Sequence, residues 1–577
     1  MPHGPRPALR QDAAQSLPAS PSDLNLPTPA LVAQRAAQRL PRLPLLLFCA
    51  AYVMPGLVGR DPWRNADLIA FGYMLNLAHG GGEALLPTIA GVPANGALLP
   101  YWLGAASIQL FGAWLDPALA ARLPFALLLV GVLACTWYST YHLARTEAAL
   151  PLPFAFGGEA QPADYARAIA DGALLALMAS LGLLQFGHET TPELVQLFGT
   201  ALFLYAMAAS PWRPWASRAA VAVALPMLAA SAAPTIALML AGAGLLVSLR
   251  SSYPAARRFA WWLGGSALLA ATVASALRAW SWRLSPPNDA WEALRLLLWF
   301  TWPSWALVSW TLWRWRSHIG HRHIAVPAAL AGVALAACLG MKASDRALML
   351  ALPPLAVLAA FALPTLKRSV AAAIDWFSVA FFSVCAIAVW VIYASLQLGV
   401  PAKPAANIAK LAPGYPGGFS APALAFAVAG TLAWIALVRW RTGRHRPVLW
   451  SSLVLPAGGL TLVWLLLLTL TLPVLDYARS YRPLVERIAR HVPREACITA
   501  YQLPTAQIAA LEVHGGWHVE QGTPERGRCE FMLVSARSNS STITLQRPGW
   551  TLVARERRPT EREEQTIVYR RDRGAAG

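Results

Sequence analysis

The sequence predicts an all-α polytopic membrane protein that carries a small α/β domain at its C-terminal end. Hydrophobic residues make up 56% of the 577 residues and charged residues only 13%, about half the usual charged share. Such a composition excludes a soluble protein of this length. Many apolar stretches reach about 18 residues, the length at which a helix crosses the roughly 30 Å hydrocarbon core. The 25 tryptophans suit aromatic belts at two membrane interfaces.

The apolar segments predict about thirteen transmembrane helices, which follow a flexible cytoplasmic tail over residues 1–42. The first span begins at Leu43, and a first periplasmic loop at about 59–96 follows it. The apolar run 98–112 is too short to cross comfortably and predicts an interfacial helix. Further spans are expected near 119–143, 168–186, 192–209, 219–232, 234–249, 259–277, 292–313, 324–341, 346–364, 373–398, 421–440 and 448–473.

The basic residues indicate the orientation of the chain. The formal net charge is +19, and Lys and Arg collect in alternate short loops, such as those around Arg257, Arg314 and Lys367. This pattern follows the positive-inside rule and predicts a cytoplasmic N-terminus. With an odd number of spans, the C-terminal domain is expected in the periplasm of a bacterial inner membrane. Contacts with membrane lipids therefore account for the charge, and a nucleic-acid partner is excluded.

After a transmembrane domain over 43–475, residues 476–577 become densely charged. Short alternating runs at 497–501, 529–534, 550–555 and 566–571 predict strands, and two helical segments between 482 and 514 complete a small α/β domain. Cys497 and Cys529 are the two cysteines of this polar region. In a periplasmic location they can form a disulfide.

The first outside loop carries the strongest candidate site, in the sequence GRDPWRNAD at 59–67. Ionisable residues beside an apolar segment are costly and are therefore functional candidates. Asp61 follows the first span directly and lies between Arg60 and Arg64. It is interpreted either as an interface anchor with local ion pairs or as a carboxylate base beside a cationic phosphate site.

A second outside turn, GHETTPE at 187–193, places His188, Glu189 and Glu193 between two apolar helices. One interpretation is a helix cap, with Pro192 at the first helical position. The other is a second acidic loop of a functional site. His188 and Glu189 are metal-ligand types, but two ligands do not make a metal site.

Basic residues in two more outside turns suit a phosphate. KASDR at 342–346 supplies Lys342 and Arg346, and Arg283 lies in an earlier loop. A guanidinium contacts phosphate through two parallel hydrogen bonds, and a nearby Lys adds charge. The sequence contains no phosphate-binding glycine loop, no GxSxG and no HExxH, so nucleotide-driven transport and zinc hydrolysis have no support.

Several motifs in a fixed order carry a family resemblance: the acidic residue after the first span, PYWLGAASIQLFG at 100–112, AARLPFALLLVGVLA at 120–134 and ASDRALMLALPPLAVLAA at 343–360. IDWFSVAFF at 374–382 and LDYARSYRPL at 475–484 continue it. The chain thus resembles, over about 43–490, lipid-linked-sugar glycosyltransferases of the aminoarabinose transferase (ArnT) and protein O-mannosyltransferase type, which have the GT-C fold. The aminoarabinose branch carries Glu-Lys-Pro-Pro before the Tyr-Trp helix, where this chain has PANGA at 93–97.

The resemblance implies an inverting transferase that takes a sugar from a polyprenyl phosphate at the periplasmic face. Its acceptor is a lipid such as lipid A, a cell-envelope glycan or a protein, and no cofactor is indicated, although a divalent metal stays open. Asp61 matches the catalytic base of the first loop, and Glu189 or Glu193 the second acidic loop. The expected donor-phosphate ligands are Arg60, Arg64, Lys342, Arg346 and Arg283, and the expected acceptor or sugar contacts are His188, Asp67, Asn95 and Tyr101.

Two other classes of function stay open at this stage. A transporter or flippase of a lipid-linked glycan is expected to show charged or glycine-broken helices near the bilayer midplane, whereas the acidic residues here collect at one face. A non-catalytic scaffold that displays the C-terminal domain is the remaining alternative.

Overall fold

A computed structural model describes residues 27–63, 65–94, 96–280, 285–287, 289–443, 448–523, 528–537 and 549–572. It is a helical bundle with a small C-terminal sheet domain, which confirms the predicted fold class. Eight helical segments are long and apolar enough to cross a membrane: Pro117–Ala144, Pro192–Ala209, Pro254–Ala276, Arg322–Gly340, Asp345–Thr365, Arg368–Leu398, Ala421–Thr442 and Ser451–Leu470. The protein is therefore a multi-pass membrane protein.

The predicted number of thirteen spans is not confirmed, because several of the other apolar helices are short. They are Arg42–Val53, Ala66–Ala78, Leu98–Phe111, Pro214–Ala230 and Pro234–Leu249. The helix Ala402–Leu411 connects the two long helices Arg368–Leu398 and Ala421–Thr442. The expected interfacial segment 98–112 does form a single short helix, Leu98–Phe111.

Two predicted spans are interrupted in the structure. The span predicted near 168–186 splits into Pro162–Met178 and Leu181–Phe186. The span predicted near 292–313 splits into Ala290–Phe300 and Ser304–Arg314. The breaks contact each other, because the Leu181 N–H donates to the Trp302 carbonyl at 3.2 Å and the hydroxyls of Ser180 and Ser304 lie 3.1 Å apart. Backbone groups freed inside an apolar bundle require such partners.

Proline positions explain where many of the helices begin. Six helices start with proline as their first residue: Pro117, Pro162, Pro192, Pro214, Pro234 and Pro254. Proline has no N–H to lose there, and its fixed φ suits the first turn. Asp116 adds a side-chain cap to the first of these helices, since its carboxylate accepts from the N–H groups of Ala118 and Leu119.

The expected flexible tail over 1–42 is partly ordered. Residues 1–26 lie outside the described residues, but 27–41 pack against the bundle. Val32 is buried, the Leu40 N–H donates to the Asp171 carboxylate at 2.8 Å, and Trp450 donates from its indole to the Gln38 carbonyl at 2.7 Å. The segment has no helical period in its sequence, and these tertiary hydrogen bonds fix it instead.

The first outside loop also has structure that its polar composition does not predict. It contains the helix Ala66–Ala78 and a small antiparallel sheet of Gly82–Glu83, Leu86–Ile89 and Val92–Pro93. The C-terminal domain packs on this loop. A Cβ at Gly72 would lie only 3.3 Å from the Cβ of Ala509, so a side chain at this position would push against the C-terminal domain. The Ala90 N–H donates to Glu512 at 3.1 Å.

The C-terminal domain has one five-stranded sheet, in the order His518–Gln521, Cys497–Tyr501, Phe531–Arg537, Glu564–Arg571 and Trp550–Glu556. The first three strands are parallel and the last two antiparallel to their neighbours. All four predicted strands are present. The edge strand His518–Gln521 was missed because only one of its four residues is apolar. The helices are Leu472–Arg479, Arg482–Ile488 and Thr505–Ala510, followed by a π-helical turn at Leu511–Gly515.

A disulfide joins Cys497 and Cys529, the pair that the sequence singles out. Their Cα atoms are 4.9 Å apart, and 32 residues separate them in the chain. Cys497 begins the second strand of the sheet, and Cys529 precedes the central strand Phe531–Arg537, which pairs with it. The bond therefore fixes two adjacent strands of the sheet.

Replacement of both cysteines by serine should lower the stability of the C-terminal domain by about 4 kcal/mol, the value expected for a loop of this length. Limited proteolysis of the purified protein at increasing temperature measures the effect. Cys385→Ser, in the helix Arg368–Leu398, is the matched control and should leave the cleavage of this domain unchanged. Equal resistance of the double variant and the wild type would show that the bond does not stabilise the domain.

Candidate active site

Asp61 lies just after the first helix, and the chain segment that follows the last span holds its carboxylate. Arg482 donates from Nε to Oδ2 at 2.8 Å and from Nη2 to Oδ1 at 2.6 Å. The Ser480 hydroxyl also donates to Oδ2, at 2.8 Å. The side chain of Asp61 is 15% exposed. This two-pronged contact joins residues more than 400 positions apart in sequence.

These contacts determine the charge state of Asp61. Burial by itself raises the pKa of the carboxyl, but the hydrogen bonds and the charge of Arg482 outweigh burial and hold the pKa below its ordinary value. Asp61 is therefore ionised at neutral pH. A carboxylate in this state can accept a proton, although the bound guanidinium makes it a weaker base.

Asp476 is a second carboxylate beside Asp61. Its Oδ1 accepts from the backbone N–H of Asp61 at 2.9 Å and from the indole Nε1 of Trp63 at 3.0 Å. Burial, followed by the neighbouring charge of Asp61, raises the pKa of Asp476. The two carboxyl groups thus differ in their proton affinity. Asp476 fixes the backbone that presents Asp61.

Trp63 stacks between two arginines. The guanidinium groups of Arg60 and Arg479 each lie 4.7 Å from the centre of its indole ring. Cations over an aromatic face are attracted to its electron-rich surface, and most strongly where water is excluded. Trp63 itself is only 4% exposed. The stack attaches the first loop to the helix Leu472–Arg479.

Asp67 is the most buried carboxylate of the site, at 1% exposure. It accepts from the backbone N–H and the hydroxyl of Thr190 at 2.8 and 2.7 Å and from the Trp63 N–H at 3.1 Å. Arg60 lies 3.5 Å away. Asp67 thus connects the first loop to the second outside turn. In this arrangement it supports the site from within, and neither Asp67 nor the buried Arg60 presents its charge to the surface.

The second outside turn, GHETTPE at 187–193, contacts the basic turn KASDR at 342–346. Arg346 donates to Glu189 at 2.6 Å and to Glu193 at 3.4 Å, and also to the Thr191 hydroxyl at 3.3 Å. The helix does begin at Pro192, but no side chain caps it. Burial and then the charge of Asp67 raise the pKa of Glu189, against the opposing charge of Arg346.

Gln185 links the two halves of the site. Its amide nitrogen donates to Glu189 at 2.9 Å, and its amide oxygen accepts from Arg479 at 3.0 Å. The result is a continuous polar network at one end of the bundle, under the C-terminal domain. Its charged members among the described residues are Arg60, Arg122, Arg346, Arg479 and Arg482 with Asp61, Asp67, Glu189, Glu193 and Asp476.

Three of the residues singled out from the sequence have side chains with other surroundings than the Asp61 carboxylate. Lys342 lines a cavity of about 690 Å³ beside Asp289 and Arg295 rather than facing Asp61. Tyr101 is buried at 6% exposure, and its ring lies 5.0 Å from that of Tyr73. His188 has both ring nitrogens engaged, since Nδ1 is 2.7 Å from the Leu184 carbonyl and Nε2 is 2.9 Å from the carbonyl at residue 52. Packing therefore occupies the side chains of Tyr101 and His188, whereas Lys342 is exposed at its cavity.

The predictions for Arg64, Asn95 and Arg283 fall outside the described residues. Conversely, sequence reasoning missed Asp476, Arg479, Ser480 and Arg482. Their segment LDYARSYR lies more than 400 residues from Asp61. A dense group of charged and hydroxyl residues directly after an apolar span was the signal that could have revealed them, as it did for the first loop.

One group of three ligand-type side chains lies within metal-binding distance among the described residues. It consists of Cys497, Glu520 and Cys529, and the two sulfurs are joined as a disulfide. This group lies in the C-terminal sheet. Four carboxylates of the polar network are paired with arginines, and these are Asp61, Asp67, Glu189 and Glu193.

Solved structures with the same fold include ArnT from Cupriavidus metallidurans. The structure of that protein bound to undecaprenyl phosphate matches with a TM-score of 0.58 and 15% sequence identity, over 93% of this chain and 98% of that chain. Its apo state matches with a TM-score of 0.57 over the same shares and at the same identity. No protein-family model matches the chain, and no curated protein matches it either. The chain therefore has the ArnT fold, as the resemblance in motif order implied.

Replacement of Asp67 by Asn should lower the free energy of unfolding by about 3 kcal/mol, because it removes one partner of a buried ion pair. Unfolding of the purified protein in mixed micelles measures the change. Asp116→Asn is the matched control, since Asn caps a helix as well as Asp. If the two variants are equally stable, Asp67 does not hold the loops together.

The two partners of Arg346 should differ in their contribution to stability. Glu189→Gln is expected to cost about 3 kcal/mol, because its ion pair is short and its side chain only 5% exposed. Glu193→Gln should cost at most about 1 kcal/mol, since its contact with Arg346 is longer and the Glu193 side chain is 26% exposed. The same unfolding measurement compares them, and a reversed order would contradict the assignment of Glu189 as the main partner.

Proposed function

We propose that this protein is a glycosyltransferase that moves a sugar from a polyprenyl phosphate to an acceptor hydroxyl, with Asp61 as the general base. The observation that carries the proposal is the position of Asp61. It lies at the end of the first helix, inside a network of arginines, in a chain whose fold matches ArnT over nearly its whole length. The protein in that match is bound to undecaprenyl phosphate, and we propose the same class of lipid phosphate as the donor here.

The location of the network suits a lipid-linked donor. A polyprenyl chain stays in the bilayer, so the sugar phosphate at its end reaches only the membrane surface. Asp61 lies eight residues after the helix Arg42–Val53, and Arg482 lies twelve residues after the last long helix, Ser451–Leu470. Both groups therefore lie where apolar helices end. A donor held there has its tail in the bilayer and its phosphate beside the arginines.

The proposed reaction is a single displacement at the anomeric carbon. The acceptor hydroxyl oxygen forms the new bond to that carbon while its proton passes to the Asp61 carboxylate. The bond from the anomeric carbon to the phosphate oxygen breaks, and the polyprenyl phosphate leaves with the electron pair. One displacement inverts the configuration, by the same logic that applies to inverting glycosidases.

Charge develops on the leaving phosphate, and fixed cations stabilise it. We propose that Arg482 and Arg346 are the arginines that perform this role, because each reaches the surface of the network. Side-chain exposure is 52% for Arg482 and 22% for Arg346. Arg60, by contrast, is buried and supports the site through Asp67.

The acceptor and the orientation are also part of the proposal. With basic loops in the cytoplasm, the network and the C-terminal domain face the periplasm of the inner membrane. The acceptor is then a lipid, glycan or protein on that side. A transporter for the same lipid is the less favoured candidate, since the ionisable residues described above gather at one end of the bundle rather than at its middle.

The Asp61→Asn variant should lose at least about 1,000-fold in turnover, because general base catalysis and the charge of the carboxylate both disappear. The assay measures sugar released or transferred from undecaprenyl phosphate sugars in the presence of a mixed acceptor extract. In the wild type, activity should fall as the pH drops through the lowered pKa of Asp61. Asp61 is then protonated and no longer accepts a proton.

Asp164→Asn is the matched control for this variant. The Asp164 carboxylate also pairs with an arginine, Arg167 at 3.3 Å, but lies outside the network, so its replacement should leave turnover unchanged. A fully active Asp61→Asn enzyme would rule out Asp61 as the base. A wild type that binds the lipid and carries it across vesicles without sugar transfer would favour the transporter.

A further inference from the structure

Three arginines of the network already have carboxylate partners. Arg60 faces Asp67, Arg346 faces Glu189 and Glu193, and Arg482 faces Asp61. A donor phosphodiester carries a negative charge of its own. Bringing that charge to the edge of the bilayer without a cationic partner is costly. A donor that binds one of these three guanidinium groups must therefore compete with a carboxylate of the protein.

Exposure indicates which arginine is the one in competition. The side chain of Arg60 is 0% exposed and that of Arg346 is 22% exposed, whereas that of Arg482 is 52% exposed. Asp61 is only 15% exposed, but water reaches the guanidinium of Arg482 and screens this pair more than it screens a pair buried on both sides. The pair between Arg482 and Asp61 is consequently the one that a ligand opens at the lowest cost in free energy.

The backbone of Arg482 is well fixed, so only its side chain needs to move. The helix Arg482–Ile488 buries Pro483, Leu484 and Val485. Tyr481, the residue before it, is 6% exposed and lies under the guanidinium of Arg558 at 5.1 Å. A long side chain on a fixed helix start can turn between two partners while the domain keeps its place.

The geometry of the pair suits exchange with a phosphate. Arg482 contacts Asp61 through Nε and Nη2, one hydrogen bond to each carboxylate oxygen. The same pair of N–H groups binds two oxygens of a phosphate in the same way. Ser480 remains on Oδ2 of Asp61, so the carboxylate keeps one orienting hydrogen bond when the guanidinium leaves.

We propose that Arg482 is a donor-phosphate ligand that exchanges the Asp61 carboxylate for the phosphate of the lipid-linked sugar, so that donor binding releases the base. This inference rests on the proposed function. In the exchange, the guanidinium keeps its proton and its charge, and two hydrogen bonds to carboxylate are replaced by two to phosphate. Released from Arg482, Asp61 becomes a better proton acceptor at the moment when the donor is in place.

Binding of undecaprenyl phosphate tests the exchange without any need for turnover. Equilibrium binding of the radiolabelled lipid to the full-length protein in detergent is measured at fixed salt, with undecaprenol, which lacks the phosphate, as the control lipid. Arg482→Gln should weaken binding of the phosphate about tenfold, and Arg482→Lys by less. Arg490→Gln is the matched control on an exposed arginine two residues beyond the same helix and should bind like the wild type.

Asp61→Asn distinguishes the exchange from a merely structural role of Arg482, because the structural role predicts weaker binding of undecaprenyl phosphate. Removal of the competing carboxylate leaves Arg482 available, so binding of undecaprenyl phosphate should become about three- to tenfold tighter. In the double variant Asp61→Asn with Arg482→Gln, this gain should vanish. Binding of undecaprenol should be equal in all variants, and gel filtration confirms that each is folded.

The possible outcomes separate the two proposals. Wild-type binding that Arg482→Gln leaves unchanged, or that Asp61→Asn weakens, overturns the exchange while the proposed donor class stands. A wild type that binds undecaprenyl phosphate no more tightly than undecaprenol overturns the proposed donor, and the exchange with it. Tighter binding by Asp61→Asn together with its loss of turnover supports both.

Discussion

The buried carboxylate of Asp67 is the contact on which the site depends. It receives three hydrogen bonds, two from Thr190 and one from the backbone of Trp63, and the charge of Arg60 lies 3.5 Å away. A carboxylate at 1% exposure is stable only with such partners. The first loop and the second outside turn must therefore come together in one geometry, and this geometry presents Asp61 and Glu189 on the same end of the bundle.

The same need for pairing extends through the rest of the network. Glu189 and Arg346 pair across two outside turns, and Trp63 lies between two guanidinium groups. These contacts differ in depth, from fully buried to half exposed. The buried pairs hold the loops in place, whereas the exposed pair of Asp61 and Arg482 can open. The buried pairs thus form a rigid support beneath Arg482, whose guanidinium can exchange its carboxylate partner for a charged ligand.

The fold is retained at low sequence identity because it depends on pattern more than on particular side chains. Identity to ArnT from Cupriavidus metallidurans is 15%, yet the shared fold covers 93% of this chain. Apolar helices of a suitable length tolerate many exchanges among Ala, Leu and Val. Prolines at helix starts, and the two helix breaks that meet at Ser180 and Ser304, determine the path of this chain. Charged residues tolerate fewer exchanges, since each needs a partner.

The sequence by itself determined the membrane architecture and the small C-terminal domain and marked Asp61 as a candidate, since all three follow from local composition. Length and hydropathy predict each helix separately. A carboxylate between arginines beside an apolar segment costs free energy whatever the tertiary structure is. The sequence also brought Glu189, Glu193 and Arg346 forward as candidates.

Only the tertiary structure decided which charges meet. Arg482 and Asp476 are more than 400 residues from Asp61 and Trp63, yet they contact them, and no local pattern encodes such a pairing. Asp67 and Arg60 are buried and hold the loops of the site in place. Both ring nitrogens of His188 contact backbone carbonyls. Lys342, close to Arg346 in sequence, faces a different cavity. Electrostatic partners depend on distance and dielectric in three dimensions, and both are properties of the folded chain.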